Sequence, residues 1–230
     1  MALDEQIGQI QQRTAQPIAL SSRRVWLAFE LTVVYIGVPL LIYLRVLPNW
    51  PIPFLLGVAI WALLVLRRDP TFDQTQFYRM DGVWKGLGEV LLRDTALMTL
   101  LGLAVWRFSP GLLFTFIEAT PWLWVTIIVL YPLFSVYPQE LLYRAFFFHR
   151  YKPLFGSGTG LIAASAAAFG FVHIIFGNWI SVVLSGIGGI LFSLTYKRSG
   201  SLMLACVEHA LFGNFIFTIG IGEFFVHAPR

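Results

Sequence analysis

The stretch Pro138-Gln139-Glu140-Leu141-Leu142-Tyr143-Arg144 places a carboxylate and a guanidinium four residues apart in one of the most apolar parts of a very apolar chain. Val136, Leu141, Leu142 and Phe146 flank the pair. In hydrocarbon such charges are costly, and they persist where they face a protein interior or a water-filled cavity. Working outward, the 230 residues are 57% hydrophobic and only 12% charged, with mean hydropathy +0.74. A soluble domain carries about 25% charged residues, so the composition is that of a membrane protein. The net charge of +4 belongs to loops at a membrane face, and no aromatic-basic pattern points to nucleic acid. The single cysteine, Cys206, lies in an apolar run and is read as a packing residue.

A membrane-crossing helix needs about 20 mostly apolar residues. Candidate spans cover 25–46, 52–66, 95–106, 121–151, 158–176, 179–196 and 202–219. Residues 71–94 form the longest polar segment, within which 82–92 reads as an amphipathic helix lying in the interface. Residues 109–120 are expected to be a loop. The fourth span is too long for one crossing and holds Pro132 and Pro138, so a break or bend is expected just before Glu140. Small residues in the fifth and sixth spans predict close helix packing. The expected fold is an all-α polytopic bundle of seven or eight helices, with 1–24 as a cytoplasmic tail (6–16 a surface helix) and 25–230 as the membrane domain. With the N-terminus in the cytoplasm, Arg23, Arg24, Arg67, Arg68, Arg79, Lys85, Arg150, Lys152, Lys197 and Arg198 all fall on the inner side.

Three ionisable residues then share a level in the membrane. Glu140 and His209 each lie ten residues from a cytoplasmic span end, about 15 Å deep. His173 lies fifteen residues along its span, about 22 Å deep or less with tilt. Three helices are expected to present them to one cavity. A desolvated carboxylate is a general base toward water, a neighbouring imidazole shares the proton, and a second donor holds an oxyanion. By residue type the same three also make a zinc set, although the H-E-x-x-H spacing is absent. Structural readings stand beside this: Glu140 and Arg144 are spaced to pair on one helix, and Gln139, Asn178 and Asn214 suit helix–helix hydrogen bonds or turns. Phe146, Phe147 and Phe148 read as lipid-facing or packing surface. Glu208 points away from His209's face, and His149 and His227 sit at membrane edges.

Gln139-Glu140-x-x-x-Arg144, Phe169-Gly170-Phe171-Val172-His173 and His209-Ala210-Leu211-Phe212-Gly213-Asn214 resemble, in order, the EExxxR, FxxxH and HxxxN motifs of the CAAX-protease and bacteriocin-processing (CPBP) family of intramembrane proteases. The resemblance covers residues 131–219, within a family-like core at about 121–219. It implies a glutamate-dependent endopeptidase with its active site inside the membrane. The implied catalytic residues are Glu140, His173 and His209, supported by Gln139, Arg144 and Asn214. His173 would act with a glutamate on water, His209 would hold the oxyanion and Arg144 would orient its helix's carboxylate. No cofactor is implied; were zinc used, Glu140, His173 and His209 would be its ligands. The implied partners are the bilayer and a peptide or protein substrate entering from the membrane or the cytoplasmic side, in a bacterial inner membrane. Two positions depart from the pattern: Gln139 stands where the first glutamate belongs, and Gly213 stands four residues after His209, with Asn214 at the fifth. An amide is no general base. The alternative is therefore a non-catalytic membrane scaffold or binding protein of the same fold. A transporter is disfavoured because no inverted repeat is visible.

Overall fold

The computed structural model describes residues 22–226. The expected helix over 6–16, nearly all of the 1–24 tail and His227 lie outside the described residues. Among the described residues every regular element is helical. Five helices are long and apolar enough to cross a membrane: α1 (Ser22–Tyr43), α2 (Pro51–Arg68), α4 (Pro121–Arg150), α5 (Thr159–Phe176, its last turn tightened to 3-10) and α6 (Trp179–Ser199). Between α2 and α4 runs α3 (Met80–Phe108), which turns through 111° into the segment Pro110–Ala119; counted as one span, the pair is a sixth. The last apolar helix, α7 (Leu202–Thr218), has 17 residues. The architecture is all-α and polytopic, but seven or eight is not confirmed as a number of crossings.

α4 is the axis of the bundle. Every residue from Leu141 to Phe147 is buried, against Leu27 and Tyr35 of α1, Ala62 and Leu66 of α2, Phe169 of α5, Phe192 of α6 and Ala205 of α7. Phe146 and Phe147 are thus core residues, as is Cys206. The helix does not break before Glu140. Pro132 removes a backbone donor, and the chain answers with a π-helical turn over Pro132–Val136. A second π-helical turn covers Leu141–Phe146, three residues after Pro138. Two carbonyls of that turn find partners on neighbouring helices. Leu142 accepts from the Tyr35 hydroxyl at 2.9 Å, and Tyr143 accepts from the Ser165 hydroxyl at 2.6 Å.

The expected interfacial helix at 82–92 and span at 95–106 are instead one continuous helix. Arg93 and Asp94 looked like a polar boundary in the sequence. In the fold Arg93 pairs with the buried Glu208 of α7, lies 3.1 Å from Asp94 and donates to Thr195 of α6 at 3.2 Å. Paired this way, Arg93 and its carboxylate partners sit inside the bundle and the helix runs through. Glu30 is likewise turned inward, held by Arg150 at 2.7 and 3.0 Å and by the Tyr151 hydroxyl at 3.0 Å.

α5 and α6 meet backbone to backbone, as their small residues predict. A methyl group on Gly170 would lie 3.1 Å from the Gly186 Cα, and one on Gly189 would lie 2.9 Å from the Ala166 Cα. This approach brings Ser193 to within 3.5 Å of Ser165 and carries Phe192 against Phe169. Gly189→Val is expected to push the two helices apart and lower stability by about 1–3 kcal/mol. The melting temperature of the detergent-solubilised protein, followed by tryptophan fluorescence, checks this; an unchanged value would contradict the contact.

Candidate active site

Glu140 is wholly buried. Its Oε1 lies 2.9 Å from His209 Nδ1. Its Oε2 lies 3.2 Å from Arg144 Nε, an ion-pair contact without hydrogen-bond alignment. A carboxylate accepts, so His209 Nδ1 carries the proton and Nε2 is left for the other side of the ring. There the Tyr131 hydroxyl lies 2.9 Å from His209 Nε2. Glu140, His209 and Tyr131 thus form one hydrogen-bonded chain from α4 to α7 and back to α4. The His209 ring stacks on Phe192 at 4.6 Å and meets the edge of Phe169 at 5.4 Å, which fixes its plane.

Arg144 is also wholly buried. It donates to Ser165 Oγ at 3.0 Å and to the Tyr143 carbonyl at 3.3 Å, and its guanidinium lies over Phe169 at 5.0 Å and near Phe192 at 5.8 Å. Phe169 therefore touches Arg144, His209 and His173 at once, the last at 5.0 Å edge to face. His173 sits where α5 tightens into its last turn. Its Nδ1 lies 2.7 Å from the Phe169 carbonyl. A carbonyl can only accept, so Nδ1 bears the proton and Nε2 offers a lone pair.

Two cavities meet at these groups. One, of about 300 Å³, is walled by α3, α6 and α7 and touched by Tyr131, Phe169, His173, Phe192, His209 and Gly213. The other, of about 510 Å³, lies toward α2 and is touched by Tyr131, Ser135, Gln139, Tyr143 and His173. Tyr131, His173, Phe217 and Phe225 line both and form the shared wall. Of the expected site residues, Glu140, Arg144 and His209 are brought into direct contact, and His173 joins His209 on one cavity. Glu140 lines neither cavity: it stands behind His209. Gln139 faces the second cavity and donates to Ser135 Oγ at 2.6 Å. Asn214 lines neither, and its Oδ1 is buried without a partner. Asn178 caps α6 by accepting from the Ser181 amide at 2.9 Å and ties down the Phe224 carbonyl at 2.8 Å. In the expected zinc set, Glu140 Oε1 is engaged by His209 Nδ1 at 2.9 Å, and Glu140 lines neither cavity. Among the described residues no group of three or more His, Cys, Asp or Glu side chains could hold a metal ion.

Residues 118–215 match the family model described as "Type II CAAX prenyl endopeptidase Rce1-like". They include Glu140, Arg144, His173, His209 and Asn214. Over this segment, somewhat under half of its length, the chain is similar to the CAAX-protease family. No curated protein and no solved structure matches the chain.

Set against the CAAX-protease motifs, the arrangement accounts for one of the two departures. Gly213 occupies the place of the asparagine in HxxxN, and any side chain there would collide with the Tyr131 ring. The tyrosine fills that space and delivers its hydroxyl to His209. Sequence reading missed Tyr131; the available signal was a tyrosine inside an apolar span opposite an unexpected glycine. Arg144→Met, which leaves the buried Glu140 carboxylate without its cation, is expected to cost about 3–5 kcal/mol. Adding Glu140→Gln should recover part of that loss in thermal unfolding. Equal stability of Arg144→Met and wild type would show that the pair is not buried together.

Proposed function

We propose that the chain is an intramembrane endopeptidase that cleaves a peptide bond in the cavity shared by His173, His209 and Tyr131. The observation carrying this reading is the hydrogen-bonded chain Glu140–His209–Tyr131 ending at a cavity where His173 offers an unprotonated Nε2. His173 takes a proton from water as the water oxygen attacks the carbonyl carbon. The Tyr131 hydroxyl, which donates to His209 Nε2 in the resting site, releases that bond and donates its proton to the oxyanion as it forms. When the C–N bond breaks, His173 returns the proton to the leaving nitrogen. Glu140 acts through His209 as a positioning residue: its charge fixes the ring's tautomer and plane. Arg144 holds Glu140 in turn. The substrate is a membrane-inserted peptide segment entering between α2 and α4, where the second cavity is lined mostly by apolar side chains. On this reading the basic end of the bundle, with Arg150, Lys152, Lys197 and Arg198, faces the cytoplasm, which the positive-inside rule supports.

A second reading is favoured by Gln139. Its amide lines the second cavity together with His173, where the family motif carries a carboxylate. On this reading the protein keeps the fold and binds a peptide segment without cleaving it.

Cleavage of a membrane-inserted peptide library by purified protein, read by mass spectrometry, tests both. His173→Ala should lower the rate roughly a hundred- to ten-thousand-fold, as for loss of a general base. Tyr131→Phe should lower it roughly a hundred- to a thousand-fold, as for loss of an oxyanion donor. Survival of full activity in both variants, with the fold intact, would sink the endopeptidase assignment to this cavity. Gln139→Glu discriminates the readings: cleavage by the restored variant alone, with a silent wild type, establishes the binding protein.

A further inference from the structure

A third cavity, of about 780 Å³, shares no lining residue with the other two. It lies at the basic end of the bundle, among the first turn of α1, the loop after α2 and the turn after α4. Its charged lining is Arg23, Arg24, Asp69, His149, Arg150 and Lys152. Four permanent cations thus face one carboxylate. That carboxylate is already committed: Asp69 accepts from the Thr71 hydroxyl at 2.6 Å and Thr71 amide at 2.9 Å and contacts His149 Nε2 at 2.8 Å. The hydrogen bonds from Thr71, then from His149, hold its carboxyl well below the usual carboxylate range. Arg150 is committed as well, gripped by Glu30. Arg23, Arg24 and Lys152 are exposed and enter no ion pair among the described residues. Three cations around a cavity, without counter-charges of their own, favour an anion with several oxygens.

The surroundings say which anion. Directly after Arg23 and Arg24 on α1 come Trp26 and Phe29, 58% and 59% exposed, with ring centroids 5.8 Å apart. Exposed aromatics of this kind belong at the headgroup level of a bilayer, with hydrocarbon below them. A ligand matching both parts has an anionic head in the cavity and apolar chains along α1. We infer that this cavity is a binding site for the phosphate-bearing headgroup of an anionic phospholipid, seated on Arg23, Arg24 and Lys152. Arg150 completes the wall and is kept in place by Glu30.

The test is native mass spectrometry of the full chain in detergent, titrated with dioctanoyl phosphatidylglycerol, dioctanoyl phosphatidylcholine or inorganic phosphate. The wild type should retain one phosphatidylglycerol and bind phosphatidylcholine at least about tenfold more weakly. The triple variant Arg23→Gln, Arg24→Gln, Lys152→Gln should bind phosphatidylglycerol at least about tenfold more weakly, since each cation near a headgroup contributes separately. Removing three exposed cations outside the cavity, by Arg68→Gln, Lys85→Gln and Lys197→Gln, should leave binding unchanged. Equal binding of the two lipids overturns the site, as does equal loss in the two triple variants. Displacement of the lipid by inorganic phosphate at matched concentration would reassign the cavity to a soluble anion and overturn the lipid reading. No arm depends on cleavage, so the endopeptidase assignment can fail without touching this result.

Discussion

A carboxylate and a guanidinium, both with no exposed surface, sit four residues apart on the central helix of a membrane bundle. Each charge taken out of water carries a penalty of several kcal/mol, and mutual attraction offsets it only when further hydrogen bonds satisfy the remaining atoms. The surrounding structure supplies part of them, while Glu140 Oε2 and Arg144 Nε meet only as an ion pair and Arg144 Nη2 has no hydrogen-bond partner among the described residues. Ser165 of α5 accepts from Arg144, Phe169 and Phe192 lie against its guanidinium, and His209 of α7 donates to Glu140. The partners come from three helices, so the pair fixes where those helices stand relative to α4. The backbone contact at Gly170 and Gly189 belongs to the same constraint, because it sets Phe192 and Ser193 within reach of the site.

This burial divides the labour among the site residues. Glu140 and Arg144 line neither cavity, and their contact with the smaller one runs through His209. Four side chains with hydrogen-bonding atoms line that cavity: His173, His209, Tyr131 and Ser185. A charge held away from water keeps a ring in one tautomer without competing for the reacting molecule. The π-helical turn that carries Arg144 serves the same end. Its freed carbonyls are taken up by Tyr35 and Ser165, so the backbone irregularity is satisfied by protein and not by lipid.

The polar residues of α4, α5 and α7 were legible in the sequence because charge in an apolar span admits few explanations. Spacing along each span brought His173 and His209 to one cavity and Glu140 to His209. Three features were not legible. The depth argument placed Glu140 on the cavity, since distance along a helix carries no information about which face a side chain takes. Arg93 read as part of a boundary because its partners, Thr195 and Glu208, lie more than a hundred residues away. Tyr131 was hidden because its role depends on an empty space, the missing side chain at Gly213, and a vacancy acquires meaning only when two helices are placed side by side.

The central claim is that the two histidines are held in defined tautomers, His173 by a backbone carbonyl and His209 by a buried carboxylate. Solid-state NMR of nitrogen-labelled histidine in the bilayer-embedded protein, with each residue assigned by substitution, measures this directly. The expected result is a protonated Nδ1 on both rings, an unprotonated Nε2 on His173, and a His209 signal that changes in Glu140→Gln while the His173 signal does not. A His173 ring protonated on Nε2 alone, or a His209 signal indifferent to Glu140→Gln, would contradict it.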